Sequence, residues 1–167
     1  MTDFKNLIIA PLIPAHDRSS FQCGVETLDR HLKTQARQDI KRQISRVFVA
    51  TQRDHPKKVI GYYTLSALSI ELSQFPETLA RKLPKHPIPA ALIGRLAVSN
   101  FAQGKGVGKM LLTDAIKRAL AVGDQIAIYA MVVDAINENA KKFYEQFGFI
   151  RLYTENSRLF LPLKSFI

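Results

Sequence analysis

Tryptophan is absent and cysteine occurs once, at position 23, in a chain of 167 residues. A single thiol excludes an intramolecular disulfide and a Cys-rich zinc site, and it fits a reducing compartment. No metal is expected. No stretch approaches the roughly 18 consecutive apolar residues of a membrane span, so no membrane partner is expected. The opening Met1-Thr2-Asp3-Phe4-Lys5-Asn6 lacks the basic head and apolar stretch of a signal peptide, so a cytoplasmic location is expected. Repeats, low-complexity tracts and dividing linkers are also missing. Acids are the scarce charge: 14 stand against 24 Lys and Arg, a net charge of +10. That balance favours polyanionic partners and disfavours polycationic substrates such as polyamines. An apolar content of 47% with 23% charged residues argues against disorder. The length fits one domain, residues 1–167, able to bury a full core.

Strand-like and helix-like segments alternate. Leu7–Leu12 is a short apolar strand candidate. After the break at Phe21-Gln22-Cys23-Gly24, the apolar residues Val25, Leu28, Leu32, Ala36 and Ile40 predict an amphipathic helix, with Lys33, Arg37 and Lys41 on its outer face. Residues 30–46 hold six Lys or Arg and one acid, Asp39. Strands are predicted at Val47–Ala50 and Val59–Leu65. Pro76, Pro84, Pro87 and Pro89 predict a short helix followed by an extended loop carrying Arg81, Lys82 and Lys85. A buried strand at Ala90–Val98 runs into a glycine-rich loop. Beyond it, Leu111, Leu112, Ala115, Ile116 and Ala119 mark a helix. Then come a buried strand at Ile126–Val133, a helix at Asn137–Phe147 with core face Ala140, Phe143 and Phe147, and a last strand around Leu159–Leu163. The order predicts an α/β or α+β fold, a mixed sheet covered by helices.

Gln103-Gly104-Lys105-Gly106-Val107-Gly108-Lys109 carries the strongest local signal. Alternate glycines let successive amides point into one concavity, the helix that follows adds its dipole, and two lysines add charge. A phosphate or pyrophosphate is the natural ligand. A Walker loop fails, because position 103 is Gln and position 110 is Met. A dinucleotide fingerprint fails, because Lys109 stands where its third glycine belongs. A Gln-x-x-Gly-x-Gly pattern fits at Gln103, Gly106 and Gly108.

That pattern, after a strand and before an amphipathic helix, resembles the acetyl-CoA pyrophosphate loop of GNAT N-acetyltransferases. Asn137-x-x-Ala140-x-x-Phe143-Tyr144-x-x-x-Gly148-Phe149 resembles the second signature of that family. The resemblance implies the GNAT fold, a twisted mixed central sheet splayed at the acetyl-CoA site and flanked by helices. It implies acetyl-CoA as cosubstrate, with its pantetheine arm on the main chain of Leu96, Ala97 and Val98. The pyrophosphate would lie on Gln103, Gly104, Lys105, Gly106, Val107, Gly108 and Lys109. Asn137 would approach the CoA arm, with Asn139 a weaker substitute. A main-chain N–H near Val98 would stabilise the oxyanion, and Tyr144 would be the acid that protonates the leaving thiolate.

Transfer to an amine needs a neutral nucleophile. No general base stands out: Glu71 and Asp134 qualify by type only, and His86 lies in the proline loop. An α-amine titrates near 7.7–8.0 and needs little help, whereas lysine titrates near 10.4. Cys23 reads as a small buried residue rather than a nucleophile, since nothing in the sequence pairs it with a histidine.

Further segments extend the resemblance over nearly the whole chain. Phe21-x-Cys23-Gly24-x-x-x-Leu28-Asp29, Gln35-Ala36-Arg37-Gln38-Asp39, Gly61–Ser66 and Pro89–Val98 are similar to the GNAT toxins of bacterial type II toxin–antitoxin pairs. Those toxins acetylate the α-amine of aminoacyl-tRNA and block translation. The resemblance implies an aminoacyl-tRNA substrate and a ribbon-helix-helix antitoxin that docks on an apolar patch, expected near the helix at 25–44. A homodimer is common in that family. Lys33, Arg37, Lys41, Arg42, Arg81, Lys82, Lys85 and Arg95 are the candidate tRNA contacts. Lys105 and Lys109 depart from the arginines frequent in that loop, which keeps the charge and loses the planar fork. The competing readings are an acetyltransferase of a protein N-terminus or lysine, and a non-catalytic GNAT-fold binding module.

Overall fold

The computed structural model describes residues 4, 6–152 and 157–166. Most of the opening stretch, Met1–Asp3 and Lys5, lies outside the described residues. The strands are β1 (Leu7–Pro11), β2 (Arg46–Gln52), β3 (Gly61–Ile70), β4 (Ile88–Val98), β5 (Ala130–Asp134), β6 (Ile150–Arg151) and β7 (Arg158–Pro162). The helices are α1 (Glu26–Arg30), α2 (Ala36–Lys41), α3 (Glu77–Ala80), α4 (Val107–Gly123) and α5 (Glu138–Glu145). The strands form one mixed sheet in the order β1-β2-β3-β4-β5-β7-β6. β1-β2-β3 and β5-β7-β6 pair antiparallel, while β4 and β5 pair parallel, as expected of an α/β mixed sheet.

The chain divides into two compact units. The first runs to Ser66 and resumes over Gly94–Lys117. Its core gathers Phe21, Cys23, Leu28, Leu32 and Ala36 against Val47, Val49, Tyr62 and Ala97. Gly61 opens β3 where space is tight: a Cβ there would lie 2.9 Å from the Ala97 carbonyl oxygen and 2.9 Å from Leu111 Cδ1. The second unit comprises Ala67–Ile93 and the chain from Arg118 onward. Its core packs Ile70, Phe75 and Ile88 with Ala130, Val132, Leu152 and Phe160. There the parallel register runs from Ala90 opposite Ala130 to Ile93 opposite Val133.

The helix expected over 25–44 is interrupted. Between α1 and α2 lies a π-turn, His31–Gln35, in which the Ala36 N–H donates to the His31 carbonyl. Leu28, Leu32, Ala36 and Ile40 recur at intervals of four, which in a regular α-helix drifts the stripe by about 40° each time. A wider turn takes that drift back and keeps the stripe on the core. Carbonyls displaced at the π-turn need other donors. The Arg18 guanidinium donates to the Leu32 and Lys33 carbonyls, each at 3.2 Å.

Two further expectations are corrected. The strand expected from Ile126 begins only at Ala130, and Ile126 is 70% exposed. Its apolar run continues out of a helix end and has no neighbour to pair with until Tyr129 donates to the Pro89 carbonyl. On α5 the buried residue is Tyr144, whereas Ala140, Phe143 and Phe147 are half-buried.

Candidate active site

In the first unit, β4 runs into a short 3₁₀ turn, Asn100–Ala102, and then the glycine loop. Gly104 and Gly106 take φ of +75° and +85°, a region that glycine enters freely. A Cβ on either would meet nothing within 4 Å, so the concave side of the loop is open. Val107 is buried and pins the start of α4, while Gly104, Lys105, Gly106 and Lys109 face solvent. The first intrahelical bond runs from the Met110 N–H to the Gly106 carbonyl. The amides of Val107, Gly108 and Lys109 are therefore left for a ligand, at the positive end of a 17-residue helix. Lys105 and Lys109 make no ion pair among the described residues. The loop fits a pyrophosphate.

Gln103 serves differently from its neighbours. Its Nε2 donates to the Cys23 carbonyl at 2.7 Å, the Val98 carbonyl at 2.9 Å and Asn100 Oδ1 at 3.4 Å. It thus ties the loop to the end of β4 and to the segment before α1. Leu96 and Val98 are half-buried and Ala97 is buried. Cys23 is buried, and burial together with Asp29 pushes its thiol up to about 11. It is a protonated core residue at neutral pH.

In the second unit, Tyr144 lies on α5, 5% exposed, with its ring edge-on to Phe143 and Phe149. Burial, and secondarily the Asp134 charge, hold its phenol above the usual range, so it keeps its proton. Its hydroxyl has no hydrogen-bond partner among the described residues, and it is not one of the sealed polar atoms left without one. Asn137 caps α5: its Oδ1 accepts from the Ala140 N–H at 2.9 Å. That leaves the amide NH2 as its free donor. Asn139 lies within α5 and is exposed.

The base candidates stand in three different settings. Asp134 is held by Arg158 at 2.8 Å, Glu71 is exposed, and His86 Nδ1 sits 3.2 Å from the Pro87 carbonyl oxygen. No cluster of three or more His, Cys, Asp or Glu that could hold a metal occurs among the described residues.

The basic candidates fall in both units. Lys33, Arg37 and Lys41 line one groove of about 560 Å³ in the first unit, with Arg18 beside them and Leu12, Ile13 and Ile40 as apolar lining. Arg42 caps α2 and is exposed, and Arg95 on β4 is half-buried. In the second unit Arg81, Lys82 and Lys85 are exposed, and Arg81 pairs with Glu77 at 2.7 Å.

His31 was not singled out by spacing. It is 5% exposed, stacks on Tyr62 at 6.4 Å, and leaves Nε2 without a hydrogen-bond partner. Desolvation, then the Arg95 charge, lower it to about 4 against a smaller pull from Asp39. Its place three residues after Leu28 on the apolar stripe was the available signal.

The model of the Acetyltransferase (GNAT) family matches residues 16–149. The chain is 35% identical over 165 residues to the protein named Probable toxin TacT of Sinorhizobium fredii, across 93% of this chain and 91% of that one. It is 37% identical over 150 residues to a tRNA-acetylating toxin of Mycobacterium tuberculosis, across 90% and 88%. Among solved structures, a tyrosine-to-phenylalanine mutant of KacT matches with a TM-score of 0.90 at 34% identity, covering 96% of this chain and 97% of that one. AtaT complexed with acetyl-methionyl-tRNAfMet matches at 0.89 and 31%, covering 96% of each. An AtaT tyrosine-to-phenylalanine mutant bound to acetyl-CoA and the C-terminus of the antitoxin AtaR matches at 0.82 and 30%, covering 96% and 95%.

Proposed function

This chain belongs to the acetyltransferase (GNAT) family, and from that premise we propose that it is a toxin acetylating the α-amine of aminoacyl-tRNA. The observation that carries this reading is its match, along nearly all of its length, to a toxin solved with acetyl-methionyl-tRNAfMet. The whole chain, 1–167, acts as one acetyltransferase domain, the family match running through both units.

Acetyl-CoA, when bound, supplies the activated acetyl thioester. The amides of residues 104–109, with Lys105 and Lys109, hold its pyrophosphate. The main chain of Leu96, Ala97 and Val98 holds the pantetheine arm. Gln103 keeps loop and strand end in register, and Asn137 offers its amide NH2 to the arm. An N–H near Val98 takes the developing oxyanion. Tyr144 holds its proton on the hydroxyl at neutral pH and delivers it to the thiolate sulfur.

The amine needs little activation. An α-amine titrates near 7.7–8.0, and the ester on its own carbon lowers that further by electron withdrawal. Asp134 is tied to Arg158, and an α-amine asks less of a base than a lysine ammonium does, which favours the α-amine over a lysine side chain. Lys33, Arg37, Lys41, Arg42 and Arg95, with Arg81, Lys82 and Lys85, attract the phosphate backbone. The partner is a ribbon-helix-helix antitoxin, and the setting is the cytoplasm. No described helix is long and apolar enough to cross a membrane.

The test is acetyl transfer from labelled acetyl-CoA into charged tRNA, beside the same tRNA deacylated and a panel of peptides. Label on charged tRNA alone is the expected result. Label on peptides with none on tRNA would leave the acetyltransferase chemistry and remove the tRNA assignment.

A further inference from the structure

Residues 21–25 lie outside helix and strand, so their main-chain groups must find partners elsewhere. Both groups of Cys23 are met by side chains. Asp29 Oδ1, on α1, accepts the Cys23 N–H at 2.9 Å. Gln103 Nε2, at the head of the glycine loop, donates to the Cys23 carbonyl at 2.7 Å. Cys23 thus stands between a carboxylate on a helix and the amide that ties the loop to the Val98 carbonyl at 2.9 Å. A second strut runs beside the first. The Asn100 N–H donates to the Gln22 carbonyl at 2.8 Å, and Asn100 Oδ1 accepts from the same Gln103 Nε2 at 3.4 Å. Gly24 allows the chain to pass this close. Its φ is +92°, and a Cβ there would stand 3.3 Å from Asn100 Oδ1.

The Asp29 charge is not spent on a cation. Arg30 and Lys33 line one groove of about 440 Å³ with Asp29, Gln22 and Asn100, yet Asp29 makes no ion pair among the described residues. Arg30 pairs instead with Glu26, at 3.9 Å. A carboxylate that accepts a main-chain N–H makes a charge-assisted bond, stronger than a neutral one. Asp29 therefore serves as an acceptor, and what it holds is the residue on which Gln103 leans. The segment from Phe21 to Asp29, among those similar to the toxins, gains a part in the cofactor site in this way.

We propose that Asp29 is a positioning residue for acetyl-CoA: it fixes Cys23, whose carbonyl fixes Gln103, which sets the glycine loop against the end of β4. The inference rests on acetyl-CoA lying on the glycine loop, and not on which amine is acetylated. Asp29 acts through two hydrogen bonds in series, so its effect passes through Gln103 and ends where Gln103 is lost.

The test is a double-mutant cycle read by calorimetric titration with acetyl-CoA, which needs no acceptor. Asp29→Ala removes the carboxylate from a helix position that alanine suits. Its Kd for acetyl-CoA should rise about tenfold, the upper range for one hydrogen bond. Asp29→Ala combined with Gln103→Leu should be about tenfold weaker than wild type, as Gln103→Leu is alone, rather than about a hundredfold. Asp29→Asn keeps an uncharged acceptor and should fall between, about threefold weaker than wild type. It carries the same cycle if Asp29→Ala does not fold, since Asp29→Asn should add nothing to Gln103→Leu. In transfer assays, Asp29→Ala should lose kcat/KM with acetyl-CoA and keep it with S-acetyl-pantetheine, which has no pyrophosphate. The KM for the acceptor should stay put. An unchanged Kd, losses that multiply in the double variant, or equal losses with both donors would overturn the proposal. A wild type that binds acetyl-CoA and acetylates no tRNA would remove the aminoacyl-tRNA reading, and the calorimetric cycle would still decide on Asp29. Transfer to charged tRNA with losses that multiply would keep that reading and remove the role of Asp29.

Discussion

Among the described residues three tyrosines are buried, and two of them have fixed partners. Tyr62 donates to the Leu28 carbonyl and Tyr63 to Asp114, at 2.6 and 2.5 Å. Tyr144 has none among the described residues, which is what a proton donor to a bound molecule requires and a structural tyrosine does not. Tyr144→Phe should therefore lose about a hundredfold or more in kcat, in the range of general-acid contributions. No protein hydrogen bond is lost with it, so the melting temperature should stay within a few degrees. Steady-state rates beside a thermal melt check both halves. This residue was legible from the sequence because its motif is local, with Tyr144 set between Phe143 and Gly148-Phe149. His31 was not, because burial of a lone histidine depends on what packs over it. Above pH 6.5 its ring is neutral whether folded or not. From 6.5 down to about 4 the unfolded chain takes up a proton that the fold refuses. Stability should fall with pH across that window, at a slope approaching about 1.4 kcal/mol per pH unit from this residue. Urea unfolding over a pH series should show His31→Gln with the shallower fall, and identical slopes would contradict the assignment.

At the scale of the element, the glycine loop and the first helical segment teach different lessons. The loop was legible: Gly104 and Gly106 adopt the left-handed φ that their spacing suggested, and α4 begins at Val107. What spacing could not give was the orientation of Gln103, whose amide donates to the nearby Val98 carbonyl and to the Cys23 carbonyl, distant in sequence. Gln103→Leu removes both donors at once. It should cost about 1 kcal/mol of stability, the net worth of an ordinary hydrogen bond, since the acceptors are part-buried or exposed and water can replace the donor. Acetyl-CoA affinity should drop about tenfold as the loop loses its register with the end of β4. Calorimetric titration and a melt check the pair, and unchanged affinity would leave Gln103 a stability residue only. The α1–α2 segment was legible as an amphipathic stripe and not as two helices joined by a π-turn. Its apolar intervals of four already drift too fast for a regular helix, and Arg18 supplies the donors that make the alternative stable. The strand expected from Ile126 failed for the opposite reason: apolar character there had no partner strand before Ala130.

Taken as a whole, the molecule carries a net charge of +10 and has its Asp134 tied to Arg158, two properties that belong together. A phosphate-bearing acceptor meets its first need through charge. An esterified α-amine meets the second, because it is substantially neutral without help. Composition and the two motifs made the acetyltransferase reading legible, with segments spread from Phe21 to Phe149 narrowing it to the toxins. The central claim is that acetyl is placed on the amino acid rather than on the RNA. The most direct measurement is to label charged tRNA with this enzyme, strip the amino acid by mild alkali, and identify the species that carries the label. The account predicts a released N-acetyl amino acid and an unlabelled RNA. Label that remains on the RNA after deacylation would contradict it.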